Sequence, residues 1–174
     1  MKIVKLGSFL ILLLSSCSDS STDYAYKWSN DIKSKILEDI NVPSDSVRVD
    51  SSKSNYQLVT LYSNGIRTKE FGIRPSTGDT IVSIFYSKDQ NFEIVRELCP
   101  GISRSFEGIR YKSEHLGLAE FRFCDGKLKE QGYRWIDGDV GIWKEWNSVG
   151  EIIKEEDFGN VKKLEGLKEI TYYR

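Results

Sequence analysis

One short motif recurs along this chain, and it constrains the fold more than anything else in the sequence. Gly72, Gly108 and Gly132 open three related stretches: GIRPSTGD, GIRYKSEHLGLAEF and GYRWIDGDVGIWKEW. Arg74, Arg110 and Arg134 follow two places after those glycines, and Gly117 and Gly141 lie nine places after Gly108 and Gly132. Upstream of each stretch stands a turn dipeptide, Asn64-Gly65, Pro100-Gly101 or Asp125-Gly126, and Val149-Gly150 begins a fourth, incomplete copy. The second and third copies are offset by 24 residues, the first and second by 36. A repeat of that length is one supersecondary unit, which cannot bury its apolar surface alone and must stack on its neighbours.

The unit is a hairpin. Asn-Gly and Asp-Gly accept the positive φ values of tight hairpin turns. Between these turns lie YQLVTLYS, TIVSIFYS, FEIVREL, GLAEFRF and GIWKEW, rich in β-branched and aromatic residues. Strand parity adds a finer expectation. Leu128 is apolar on the even register and Tyr133 and Trp135 on the odd; Ile66 against Phe71, and Ile102 against Ile109, repeat the switch. A regular strand cannot exchange its faces midway, but one extra residue achieves it. The pattern therefore predicts a β-bulge or bend at or just before Gly72, Gly108 and Gly132, with Leu128 and Trp135 on the same side.

The segment DGKLKEQGYRWIDGDVGIWKEWNSVGEIIKEEDFG, residues 125–158, resembles the MORN-variant repeat through Gly126, Gly132, Gly138, Gly141 and Trp143. The likeness is weaker over 56–124, where Ile81 and Ser83 stand at the places of Gly141 and Trp143 and Ala119 replaces the tryptophan. It implies a mainly β fold over residues 46–174: a single-layer antiparallel meander of stacked hairpins, used as a scaffold. Some relatives in that family are antitoxin-like.

Residues 24–41 read as one amphipathic helix. Tyr24, Trp28, Ile32, Ile36 and Ile40 recur every fourth residue, with Leu37 beside them; Thr22 or Asp23 could cap the start, and Pro43 ends it. A single sheet leaves both faces bare, and this stripe suits the covering of one of them.

At the N-terminus, Lys2 and Lys5 precede the uncharged apolar run Phe9 to Leu14, which is too short to span a bilayer. Leu14-Ser15-Ser16-Cys17 then resembles a lipobox, the site at which bacterial lipoproteins are cut and acylated. The resemblance implies a signal peptide over 1–16, lipid attachment at Cys17, a tether over 17–23 and a place in the bacterial cell envelope, on the periplasmic or outer-membrane side. Acyl chains on one cysteine would hold the protein at the membrane, each buried methylene contributing about 0.8 kcal/mol. Loss of the leader, with its two lysines and no acid, moves the formal net charge from −1 to −3. Charges of both signs are interleaved, and nothing in the balance favours nucleic acid.

Residues for catalysis are hard to find. His115 is the only histidine, so no catalytic residues, metal site or cofactor are expected, and the chain reads as a non-enzyme. Arg74, Arg110, Arg134 and Trp135 are the candidate partner-binding residues. Each arginine has an acid nearby, and a structural role in stacking and ion pairing is favoured for them; Glu70, Glu107 and Glu130 would form a matching ladder. The remaining cysteines, Cys99 and Cys124, occupy equivalent places two residues before Gly101 and Gly126. With one strand between them, equivalent Cα atoms would lie roughly 10 Å apart, too far for a disulfide, so both are expected unbridged. The function expected is that of a lipid-anchored binding module for another envelope protein or a surface glycan; an immunity or antitoxin-like role and a purely structural role are the alternatives.

Overall fold

The structure is a computed structural model and describes residues 20–51, 56–100 and 104–173. Cys17, the leader and the start of the tether lie outside the described residues. Helix α1, Ser20–Asp39, is followed by ten strands: β1 Ser46–Asp50, β2 Gln57–Ser63, β3 Ile66–Ile73, β4 Thr80–Tyr86, β5 Phe92–Leu98, β6 Arg104–Tyr111, β7 Glu114–Arg122, β8 Leu128–Trp135, β9 Gly138–Trp146 and β10 Ile152–Asp157. A 3₁₀ helix, Val161–Glu169, closes the order. The strands form one antiparallel sheet in sequential order, β1 to β10, an open single-layer meander. The turn at Asn64-Gly65 has both residues at positive φ, 52° and 74°, which matches the twist of its hairpin.

The repeat is written into the register. Leu61 pairs with Lys69 and Tyr62 with Arg67, so Thr68 is an extra residue on β3. The same irregularity places Ser105 as the extra residue on β6 and Lys129 on β8. Ile153 holds this place on β10, in the incomplete fourth copy. These are the expected parity switches, three or four residues before the leading glycines. Leu128 pairs with Arg122, which shares a face with Glu120, Gln131 and hence Trp135, so Leu128 and Trp135 do lie on one side.

A second irregularity sits opposite the glycines themselves. The step from Glu107 to Ile109 on β6 faces the longer step from Glu120 to Leu116 on β7, and Gln131 to Tyr133 on β8 faces Lys144 to Val140 on β9. Gly117 and Gly141 take up the surplus at φ 73° and 65°, a conformation that side chains resist. In the first copy a single residue, Ile81, is extra opposite Gly72 and Ile73.

One face of the sheet is covered. Ala25, Trp28, Ile32, Ile36 and Ile40 of α1 pack on Phe92, Ile94, Ile109, Leu116 and Val140, joined by Leu164 and Leu167 of the 3₁₀ helix. The helix starts at Ser20, taking in part of the expected tether, and its last turn ends at Asp39. Polar groups fasten the cover: the Ser29 hydroxyl accepts from Leu118 N–H beside the Gly117 bulge at 2.9 Å, Trp28 Nε1 donates to Ile170 O at 3.2 Å, and Tyr172 OH donates to Asp39 at 2.6 Å. Lys33 reaches the buried Glu107 carboxylate at 2.9 Å, where Arg96 also bonds at 2.6 Å and Arg104 at 2.5 Å. Burial pushes the Glu107 carboxyl up, but the Lys33 charge and the hydrogen bonds from Lys33 and Arg96 outweigh it and leave its pKa at about 2. No helix among the described residues is long and apolar enough to cross a membrane.

Cys99 and Cys124 are bridged, with Cα atoms 5.6 Å apart, and this corrects the expectation of two free thiols. The estimate of 10 Å assumed a strand between them. Cys99 follows the end of β5 and Cys124 the end of β7, whereas the last β6 pairings on this side involve Arg104 with Leu98 and Phe106 with Phe121. Both cysteines lie past the described part of the ladder, and among the described residues no rung of β6 stands between them.

Candidate functional site on the open face

The opposite face of the sheet carries no helix. Its apolar patch consists of Val95, Phe106 and Ala119, with Val82, Ile84, Phe121 and Trp143 around them. Guanidinium groups lie over its rings. Arg67 sits 3.8 Å from the centre of Tyr86, and Arg134 lies 5.7 Å from Phe121 and 5.5 Å from Trp143. These are distances at which a cation is attracted to an aromatic face.

A row of cross-strand partners runs beside the patch: Tyr86 with Glu93, Glu93 with Arg110, and Arg110 with His115. Arg110 pairs with Glu93 at 3.3 Å, and Arg134 with Asp139 at 3.2 Å on the next hairpin. His115 is half-buried between Arg110 and Arg134, and its Nδ1 has no hydrogen-bond partner. Burial first, then the charges of Arg134 and Arg110, push its pKa down to about 4 and hold it neutral. Burial and the nearby Glu70 carboxylate keep the Tyr86 phenol protonated far above its usual range.

Arg110 and Arg134 therefore share the open face, each with its own acid. Arg74 stands elsewhere, exposed in the β3–β4 turn, where its N–H donates to Asp79 O at 2.8 Å. The 36-residue offset explains the separation. It spans three strand steps, so β3 runs antiparallel to β6 and β8 and carries Arg74 to the other end of the sheet. Trp135 lies on the covered face, packed against the core there with Gly166 of the 3₁₀ helix on its ring. The glutamates divide too: Glu107 belongs to the covered face, while Glu70 bonds Thr60 near Tyr86 and Glu130 borders a groove on the open face.

That groove, about 180 Å³, is centred on Trp143. The indole lies flat on the backbone of Gly132, where a Cβ would come within 2.2 Å of the ring, and its Nε1 donates to Tyr133 O at 3.1 Å. Phe121 and Phe158 flank it, each with its ring centre 6.5 Å away. Arg134 and Lys154 alternate with Glu130, Asp139, Glu145 and Glu156 around the rim. Sequence reasoning treated Trp143 as a packing position and left out Asp139 and Phe158. The Gly132-to-Trp143 pairing was visible in the repeat, but the face it occupies was not. Among the described residues no three His, Cys, Asp or Glu side chains cluster as metal ligands.

No family model matches the chain, and no curated protein matches it. Among solved structures, an S. aureus TarM mutant in complex with fondaparinux, alpha-GlcNAc-glycerol and UDP aligns over 82% of this chain and 26% of its own, at 14% identity and a TM-score of 0.39. A second TarM structure aligns over 87% of this chain and 30% of its own, at 14% identity and a TM-score of 0.37. A structure of accessory secretory proteins 1, 2 and 3 of Streptococcus pneumoniae gives 12% identity and a TM-score of 0.24, over 76% of this chain and 26% of that one. The chain thus spans under a third of each, and likenesses this loose carry no functional statement.

Proposed function

We propose that this chain is a bacterial envelope lipoprotein of MORN-variant type, anchored through lipid on Cys17 and acting as a non-catalytic module that binds an envelope protein or a surface glycan. The observation that carries the binding role is the asymmetry of the sheet. One face is sealed by α1 and the 3₁₀ helix; the other carries no helix, so Val95, Phe106 and Ala119 are buried there only by neighbouring side chains, with part-buried rings and paired charges at the surface. Such a face offers breadth without a deep pocket. The Cys99–Cys124 bridge supports export, since disulfides persist in oxidising compartments. The flat packing of Trp143 on Gly132 supports the repeat assignment.

Two measurements test this. Metabolic acyl labelling should mark the full-length protein and fail with Cys17→Ala, which should leave the membrane fraction. A photo-crosslinker replacing Lys154, exposed on the open face, should trap envelope material in living cells, whereas one replacing Lys27, exposed on the outer side of α1, should not. Equal yields from both positions would overturn the assignment of the open face.

A further inference from the structure

We propose that the groove over Trp143 is a subsite for one uncharged sugar ring, stacked on the indole as part of a glycan crossing the open face. This rests on the reading of that face as the binding surface and names its ligand class. Three features of the groove favour a neutral sugar.

The first is a rigid platform. Gly132 beneath the ring and the bond from Nε1 to Tyr133 O fix the indole before any ligand arrives, so stacking orders little that was free. A pyranose presents one apolar face of C–H groups, and a flat indole is the largest aromatic surface a side chain can offer to it. Phe158 stands edge-on to the indole at 79° and closes one side, while the Arg134 guanidinium, 5.5 Å from the ring centre, shares the surface that faces the groove and must shift aside or pack on the sugar.

The rim supplies the second. Each sugar hydroxyl both donates and accepts hydrogen bonds, and it is best met by carboxylates and cations together. Arg134 and Lys154 donate here, and Asp139, Glu130 and Glu145 accept. The same mixture disfavours charged ligands: four carboxylates oppose a phosphate, and two cations oppose an amine.

Size is the third. At about 180 Å³ the groove is smaller than the roughly 300–1,000 Å³ of drug-sized pockets. It holds one ring, and the rest of the chain would lie along the sheet beside Phe121.

The test uses full-length protein in detergent micelles, titrated with neutral hexoses, N-acetylhexosamines and their short oligomers, while the four indole N–H resonances are followed by NMR. The expected result is a saturable shift of the Trp143 resonance, with Trp28 and Trp135 unmoved and oligomers binding more tightly than single sugars. Trp143→Ala should weaken binding by about ten-fold or more. Asp139→Asn, which keeps the indole in place, should weaken it by about three-fold or more with an unchanged circular dichroism spectrum. The inference is overturned if no saccharide shifts the Trp143 resonance, if the shift survives both substitutions, or if a phosphorylated sugar binds better than its neutral parent. Should the Lys154 crosslinker still trap an envelope protein in that event, the sugar subsite fails and the binding face stands; should it trap nothing, both fail.

Discussion

The two faces of the sheet follow the same alternation of side chains but are built for different surroundings. Phe92, Ile94 and Ile109 on the covered side are fully or almost fully buried beneath Ile32 and Ile36 of α1. On the open side Phe121 and Trp143 remain half-exposed, with Arg134 lying over them in place of a helix. Ion pairs are distributed accordingly. Glu107 is 5% exposed and satisfied by three cations, as a buried carboxylate must be, whereas Arg134 and Asp139 are both partly in water. The difference teaches that the covered face holds most of the core and the open face less of it, as the proposed binding role requires.

Truncating rings on the two faces probes that division most strongly. Phe92→Ala should cost about 3–5 kcal/mol in urea unfolding, because its ring is wholly enclosed and leaves a cavity. Phe121→Ala should cost about 1–2 kcal/mol, since its ring is only partly buried. Equal costs would mean that the open face is as much a core as the covered one. Next in size is the bridge, which closes a separation of 25 residues and should contribute about 3 kcal/mol by restricting the unfolded chain. Denatured, unreduced protein should show neither Cys99 nor Cys124 as a free thiol, and reduction should lower the unfolding free energy by that amount.

Gly132→Ala should be felt at about 1–3 kcal/mol, because the new methyl falls inside the Trp143 ring and must lift it. A red-shifted tryptophan emission would report the lifted indole; unaltered emission would show that Trp143 is not seated on Gly132.

The smallest effects separate the faces by pH. On the covered side, Glu107 has a folded pKa of about 2 against a usual 4.5, so its stabilisation is full above about pH 4.5 and is lost as the pH falls towards 2. On the open side, His115 sits at about 4 against 6.5. The unfolded chain takes up that proton first, so stability falls as the pH drops from about 6.5 to 4. Glu107→Gln should flatten only the lower window of a midpoint-against-pH curve and His115→Gln only the upper one. Flattening of both windows by one substitution would join what the structure separates.

Local features of the fold were legible before the structure. The Asn64-Gly65 turn, the strand FEIVREL, the stripe from Tyr24 to Ile40 and the parity switches before Gly108 and Gly132 depend on residues only a few places apart. The C-terminal 3₁₀ helix left a signal too, in the three-residue spacing of Val161, Leu164, Leu167 and Ile170, but it was taken as part of the repeat. The candidate site was legible only in part. Arg110 and Arg134 were identified with their acids, yet their place beside the Trp143 groove was not.

By itself, then, the sequence determined a sequential meander with bulges at set intervals and one covering helix, because hairpins and helical stripes are encoded by short-range spacing. Tertiary structure alone decided which face that helix seals, and with it the separation of Trp135 under the cover from Trp143 in the open. It also decided that Gly72 on β3 and Gly108 on β6 stand three strand steps apart, an odd number, sending Arg74 to the far end of the sheet. The Cys99–Cys124 bridge was settled in the same way, by β5 and β7 meeting past the last described rungs of β6. Each of these depends on where whole strands begin, end and stack, and no window of neighbouring residues contains that information.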